Sequence, residues 1–296
     1  MALKLAGSWV ALATPFRGGV LDEGAYRALC EWQLASGTDG LVPCGTTGET
    51  PNLTAEEQAK CVRIAVEVCR KAGKPVLAGA GAFSTVRTVE NVRAVKEAGA
   101  DGALVVTPYY VKPTQAGLVA HFREIARAVP GFPICAYNVP GRTGVDLLAD
   151  TYPALAEIPE VVAVKEATGS MPRVVEIKEK VGDRFALLSG DDFTIAPFLA
   201  LGGQGVISVS ANCAPAEVAA LVHAGLAGQT AKAAALQVKL QELHRTLFLE
   251  SSPIPVKAAL FLQGRFADEV RLPLTLATLQ TRERVGAALR ALGVLS

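Results

Sequence analysis

Most lysines of this 296-residue chain, among them Lys60, Lys71, Lys74, Lys96 and Lys178, fall on polar helix faces or in loops. Lys165 instead interrupts the apolar run Val161-Val162-Ala163-Val164. Taking an ammonium out of water is costly and favours the neutral amine. A neutral amine in a dry pocket is a nucleophile for carbonyl carbons. The competing possibility is a structural ion pair with Glu166. Successive strand residues point to opposite faces, so these two neighbours are not expected to meet. Three of the five tyrosines (Tyr109, Tyr110 and Tyr137) stand at the ends of apolar runs. A phenol can shuttle protons beside an imine, above all where a threonine hydroxyl links it to a second phenol. Aromatic packing around a rim is the alternative.

Gly45-Thr46-Thr47-Gly48 places backbone N–H groups and two hydroxyls in one turn, which can hold a small carboxylate. It lacks the G-K-[ST] of a phosphate-binding loop, and the Gly-rich stretch 201–205 precedes a strand where a dinucleotide site needs a helix. Arg142 follows in a Pro-Gly-Arg-Thr-Gly turn, and a planar guanidinium suits a carboxylate. The three histidines (His121, His223, His244) and six cysteines show neither metal-ligand spacing nor a C-x-x-C pair. The cysteines read as reduced, mostly buried apolar residues, as in a cytoplasmic protein. Lys+Arg 29 against Asp+Glu 28 leaves a net charge of +1 with no basic block, which argues against nucleic acid and for a small-molecule substrate.

These residues need a scaffold that gathers them, and short apolar runs recur at 9–14, 40–45, 75–81, 102–108, 132–138, 161–167, 185–190 and 205–210. They are continuous rather than alternating, the pattern of parallel strands covered on both faces. Helix-like segments lie in most intervals. Thr54-Ala55-Glu56-Glu57 is a capping box, with Cys61, Ile64, Ala65, Val68 and Ala72 on one face before Gly73. Val86, Val89, Val92 (or Arg93 beside it) and Val95 form a similar face ended by Gly99. Eight repeats predict an α/β fold, a (β/α)₈ TIM barrel over 1–225, with active-site residues at the carboxyl ends of the strands. An open doubly wound sheet is the competitor, because periodicity cannot show closure. Helices predicted over 231–249, 255–263 and 274–292 make 226–296 a C-terminal helical appendage. Residues 1–15 carry the elements of a signal peptide, but Gly7 and Ser8 interrupt the apolar stretch, and 9–14 fit a buried first strand. The uncharged run 193–216 is long enough for a membrane span but is broken by Pro197, Gly202, Gly203, Gln204 and Asn212, so it reads as a core element.

Five segments carry a resemblance: GTTGE (45–49), TPYY (107–110), YNVPGRTG (137–144), KEATG (165–169) and LSGDD (188–192), with GVISV (205–209) and SPIPVK (252–257) beside them. In this order, over essentially the whole chain, they resemble the dihydrodipicolinate synthase family of pyruvate-dependent class I aldolases. The resemblance implies condensation of pyruvate with L-aspartate 4-semialdehyde to 4-hydroxy-tetrahydrodipicolinate, the first committed step toward diaminopimelate and lysine. It implies that Lys165 forms the Schiff base and that Tyr137 moves protons, coupled through Thr46 to Tyr110. The latter would reach into a neighbouring subunit, so a homotetramer built of dimers is expected. Thr47 would hold the pyruvate carboxylate and Arg142 that of the second substrate, with Gly190 and Ile207 lining the pocket through main-chain carbonyls. No metal or organic cofactor is implied, because the protonated imine is itself the electron sink.

N-acetylneuraminate lyases and 2-keto-3-deoxy sugar acid aldolases share the lysine and the tyrosine. Thr46 followed by Thr47, together with Arg142, favours the dipicolinate branch. A non-catalytic barrel that binds a keto acid is the alternative from another class, and it would be expected to have lost Lys165 or the proton relay. Lysine-inhibited relatives carry His, His, Asn and Glu where this chain has Ala55, Gln58, Phe83 and Arg87. Phe83 and Arg87 cannot accept an ammonium, so feedback inhibition by lysine is expected to be weak or absent.

Overall fold

The structure, a computed structural model, describes residue 3 and residues 5–295. Its eight principal strands are β1 (Gly7–Ala11), β2 (Gly40–Val42), β3 (Leu77–Gly79), β4 (Gly102–Val106), β5 (Ile134–Asn138), β6 (Val161–Glu166), β7 (Ala186–Ser189) and β8 (Gly205–Ser208). Each is followed by a helix: α1 (Glu23–Ala35), α2 (Ala55–Ala72), α3 (Thr85–Glu97), α4 (Gln115–Ala128), α5 (Tyr152–Ala156), α6 (Met171–Val181), α7 (Ile195–Ala200) and α8 (Pro215–Leu226). A small antiparallel ribbon, Phe16–Arg17 with Val20–Leu21, precedes α1. The helices α9 (Thr230–Thr246), α10 (Ile254–Leu262) and α11 (Leu279–Leu292) complete the chain.

The strands run in the order β2-β1-β8-β7-β6-β5-β4-β3 with parallel pairing. The remaining seam, between β2 and β3, is closed by a parallel bridge from Leu41 to Val76. Leu41 N–H donates to Pro75 O at 3.2 Å and Gly79 N–H to Pro43 O at 2.9 Å across that seam. Closure decides for the barrel and against the open sheet. Gly79 is required there: a Cβ would lie 1.8 Å from Cys44 O.

The barrel splits the apolar residues of each strand into two sets. Trp9, Val42, Leu77, Leu104, Cys135, Tyr137, Ala163, Leu188 and Ile207 fill the interior. Their strand neighbours, such as Val10, Leu41, Val105, Ala136, Val164 and Leu187, face the helices. Two apolar faces explain why the runs read as continuous. All six cysteines are buried thiols without disulfides.

Most helix signals hold, but Ala72, expected on the buried face of α2, is exposed, and α9 ends at Thr246 rather than 249. Thr54 and Glu57 form the reciprocal capping box at 3.2 and 2.9 Å, and Gly73, at φ +65°, ends α2. Val86, expected on the buried face of α3, is 71% exposed, and Thr88 is buried with Val89, Val92 and Val95 instead. Thr88 belongs inside because its hydroxyl donates to Ser84 O at 2.8 Å and accepts from Ala82 N–H at 3.1 Å. The last helix begins at Leu279 rather than 274, because Thr278 caps it by accepting from Thr281 N–H at 3.3 Å. The run 193–216 divides into α7, β8 and turns, and among the described residues no helix is long and apolar enough to cross a membrane. Of the leader-like stretch 1–15, residues 1, 2 and 4 lie outside the described residues, and Gly7–Ala11 is β1.

His121 on α4 gives the fold an acid sensitivity. It is 3% exposed, its Nδ1 shares a 2.9 Å hydrogen bond with Thr85 Oγ1, and its Nε2 has no partner among the described residues. Burial pushes it down from 6.5 to about 4. Between these values the unfolded chain binds a proton that the folded chain refuses, so stability present above pH ~6.5 is lost as pH falls toward 4. The loss is on the order of 3 kcal/mol. Urea unfolding at pH 7.5 and pH 4.5 should show this decline in the wild type and a shallower one in His121→Gln. Equal slopes would remove His121 as its source.

Candidate active site

Period two along β6 sends Lys165 inward and Glu166 outward. Lys165 is 5% exposed, and its Nζ lies 4.2 Å from the centroid of the Tyr137 ring. Tyr137 is its register partner on β5. Among the described residues the Lys165 ammonium makes no ion pair and no hydrogen bond. Glu166 is occupied on the other face: its carboxylate accepts from Asn138 Nδ2 at 3.1 Å, Tyr152 OH at 3.0 Å and Thr168 N–H at 2.8 Å. The structural Lys–Glu pair is therefore excluded. Gly190 leaves room for the lysine, since a Cβ there would stand 2.9 Å from Lys165 Cε.

After β2 the chain passes through Cys44 at φ +56°, makes a 3₁₀ turn over Thr46–Gly48 and leaves through Glu49 at φ +54°. Thr14 Oγ1 donates to Gly48 O at 2.8 Å and Thr50 Oγ1 to Gly45 O at 2.9 Å, fastening both ends of the turn. Thr47 is 3% exposed. The N–H groups of Thr46 and Thr47 take no part in hydrogen bonding among the described residues, as expected at the start of a helical turn.

A cavity of about 520 Å³ opens at the carboxyl ends of the strands, and Thr46, Leu104, Val106, Tyr109, Tyr137 and Arg142 are among its lining. Lys165, Thr47, Gly190 and Ile207 are not part of that lining. Lys165 packs against the lining through the Tyr137 ring, while Ile207 is 1% exposed in the interior layer. Arg142 is exposed and donates from Nη2 to Ser252 O at 3.3 Å. Tyr110 does not join them within one chain. It is 90% exposed, at φ +70°, a backbone region costly for a bulky residue. The cavity extends to Ala55, Gln58, Phe83 and Arg87.

Residues 4–292 match the dihydrodipicolinate synthetase family. The chain belongs to that family. A 4-hydroxy-tetrahydrodipicolinate synthase of Nitratidesulfovibrio vulgaris (strain Miyazaki F) is 49% identical, covering 99% of this chain and all of that protein. The chloride-inhibited dihydrodipicolinate synthase of Acinetobacter baumannii, solved with pyruvate, superimposes with a TM-score of 0.96 at 43% identity, over 99% of this chain and 100% of that one. A dihydrodipicolinate synthase described as a monomeric variant superimposes at 0.94, with 40% identity over 98% of this chain and 97% of that one.

Within this family member, four charged residues of the quoted motifs had no part in the sequence analysis: Glu49, Asp191, Asp192 and Lys257. Glu49 closes GTTGE and Lys257 closes SPIPVK, and the two meet at 2.6 Å with side chains 0% and 3% exposed. The signal was the one that singled out Lys165, a lysine inside an apolar run. Asp146 was also missed. It accepts from Asn138 Nδ2 at 2.8 Å and from both terminal nitrogens of Arg173 at 3.0 and 2.9 Å, which extends the support behind Glu166. No motif marked it, because its partners lie on β5 and α6.

Proposed function

We propose that this protein condenses pyruvate with L-aspartate 4-semialdehyde to 4-hydroxy-tetrahydrodipicolinate through a Schiff base on Lys165. It is a lyase of the class I aldolase type. The observation that carries the assignment of the nucleophile is the inward lysine, buried, without a carboxylate partner among the described residues and packed on Tyr137 at the mouth of a closed barrel.

The Lys165 amine adds to the ketone carbon of pyruvate, and loss of water leaves an iminium. The iminium withdraws electrons, so a proton leaves the adjacent methyl and an enamine forms. That carbon attacks the aldehyde of the second substrate. The substrate amine then attacks the iminium carbon, closes the ring and releases Lys165. Tyr137 delivers and removes protons, relayed through Thr46 to the phenol of Tyr110. Thr47 and the turn's backbone hold the pyruvate carboxylate, and Arg142 positions that of the semialdehyde. Gly190 and Ile207 bound the pocket through their carbonyls.

Tyr110 comes from a second copy of the chain, with a tetramer of two such dimers as the assembly. Support comes from a large aromatic side chain held outward at a backbone angle that L-residues rarely adopt. Residues 1–225 act as the catalytic barrel and 226–296 as its helical appendage, in a cytoplasmic enzyme.

The reaction is tested by a coupled assay with pyruvate and aspartate semialdehyde, run beside N-acetylneuraminate cleavage. Turnover of the first pair alone is expected. Turnover of N-acetylneuraminate alone would move the chain to another aldolase branch. L-Lysine at 1 mM is expected to leave the rate within about 20% of its uninhibited value, since Phe83 and Arg87 offer no oxygen to an ammonium. Half-inhibition below that concentration would contradict this.

A further inference from the structure

Glu49 and Lys257 are separated by 208 positions, yet form the chain's most deeply buried ion pair among the described residues. Replacing a buried pair by apolar residues is often neutral or stabilising, so stability alone gives little reason for two charges here. Glu49 also holds the left-handed region at φ +54°, where glycine would sit without strain. The chain accepts both costs at the residue that ends the Thr46–Gly48 turn, whose N–H donates to Thr46 O at 3.1 Å.

The carboxylate is held from several sides. Oε1 takes Lys257 Nζ, while Oε2 accepts from Arg271 N–H at 3.1 Å and Asn52 Nδ2 at 3.3 Å. Arg271 in turn donates to Asn52 O at 2.8 Å and forms a two-pronged pair with Glu57 at 2.7 and 2.6 Å. The Phe16 ring carries both cations, with Lys257 Nζ at 4.2 Å and Arg271 Cζ at 4.1 Å. Burial pulls the Lys257 ammonium below its ordinary value, and the Glu49 carboxylate opposes that pull.

We infer that Glu49 and Lys257 are positioning residues: through them the C-terminal helical region sets the Thr46–Thr47 turn, and with it the site for the substrate carboxylate. This rests on the proposed role of that turn in binding pyruvate. The appendage is thereby a working part of the pyruvate site.

The test compares wild type, Lys257→Met, Glu49→Gln and the double variant. Their readouts are thermal unfolding, kcat, and the pyruvate concentration giving half-maximal borohydride trapping. Each single variant is expected to raise half-saturation at least about tenfold, with a smaller fall in the trapping rate at saturating pyruvate. The double variant carries no unpaired buried charge and should recover thermal stability without recovering half-saturation. A purely structural pair predicts wild-type half-saturation in every variant that folds, and that result overturns the inference. Should Lys257→Met not fold, the double variant carries the same comparison. Trapping of pyruvate on wild-type Lys165 is the control: its failure would strike the proposed reaction, whereas normal half-saturation in the variants would strike this pair alone.

Discussion

Lys165→Ala is expected to lower turnover by at least about a thousandfold while the protein stays folded. Without the amine the proposed iminium cannot form and its electron sink is lost, so the expected residual rate is that of binding alone. Lys257, the other buried lysine among the described residues, is engaged with Glu49 at 2.6 Å and is not free to stand in. The fold should tolerate the change, since Lys165 has no ionic or hydrogen-bonded partner among the described residues that its loss would strand. The check is incubation with pyruvate, borohydride reduction and peptide mass analysis. The wild type should carry the adduct on Lys165, and the variant none. Full turnover by Lys165→Ala, or an adduct elsewhere, would end the covalent mechanism.

Tyr137→Phe comes next, with turnover reduced by roughly 10²–10⁴-fold, the range of a lost general acid–base group. The substitution removes one oxygen and leaves the ring whose centroid lies 4.2 Å from Lys165 Nζ. Packing and access to the amine are therefore kept while the proton path is cut. Pyruvate should still be trapped on Lys165, more slowly, and half-saturation should move little. A kcat within about fivefold of wild type would reduce Tyr137 to an aromatic wall.

Much of the fold was legible in the sequence because it depends on local rules. The eight apolar runs marked the strands, the Thr54–Glu57 box marked the start of α2, and the mismatch of Lys165 with its strand marked the proposed nucleophile. Val86 and the start of α11 were misjudged, since each was settled by a side-chain hydrogen bond that hydrophobic spacing does not encode. Of the candidate site, Tyr137, Thr46 and Arg142 gather around one cavity, with Lys165 against it. Tyr110 stands apart on the surface of the single chain.

By itself the sequence determined that Lys165 and Glu166 face opposite ways: alternation along β6 separates them whatever surrounds the strand. Only the tertiary structure decided that the sheet closes, through contacts across the β2–β3 seam, and that Lys257 returns to Glu49 from the far end of the chain. Both depend on backbone and side chains brought together by long-range packing. Their energies belong to pairs distant in the chain, and no window of neighbouring residues records them.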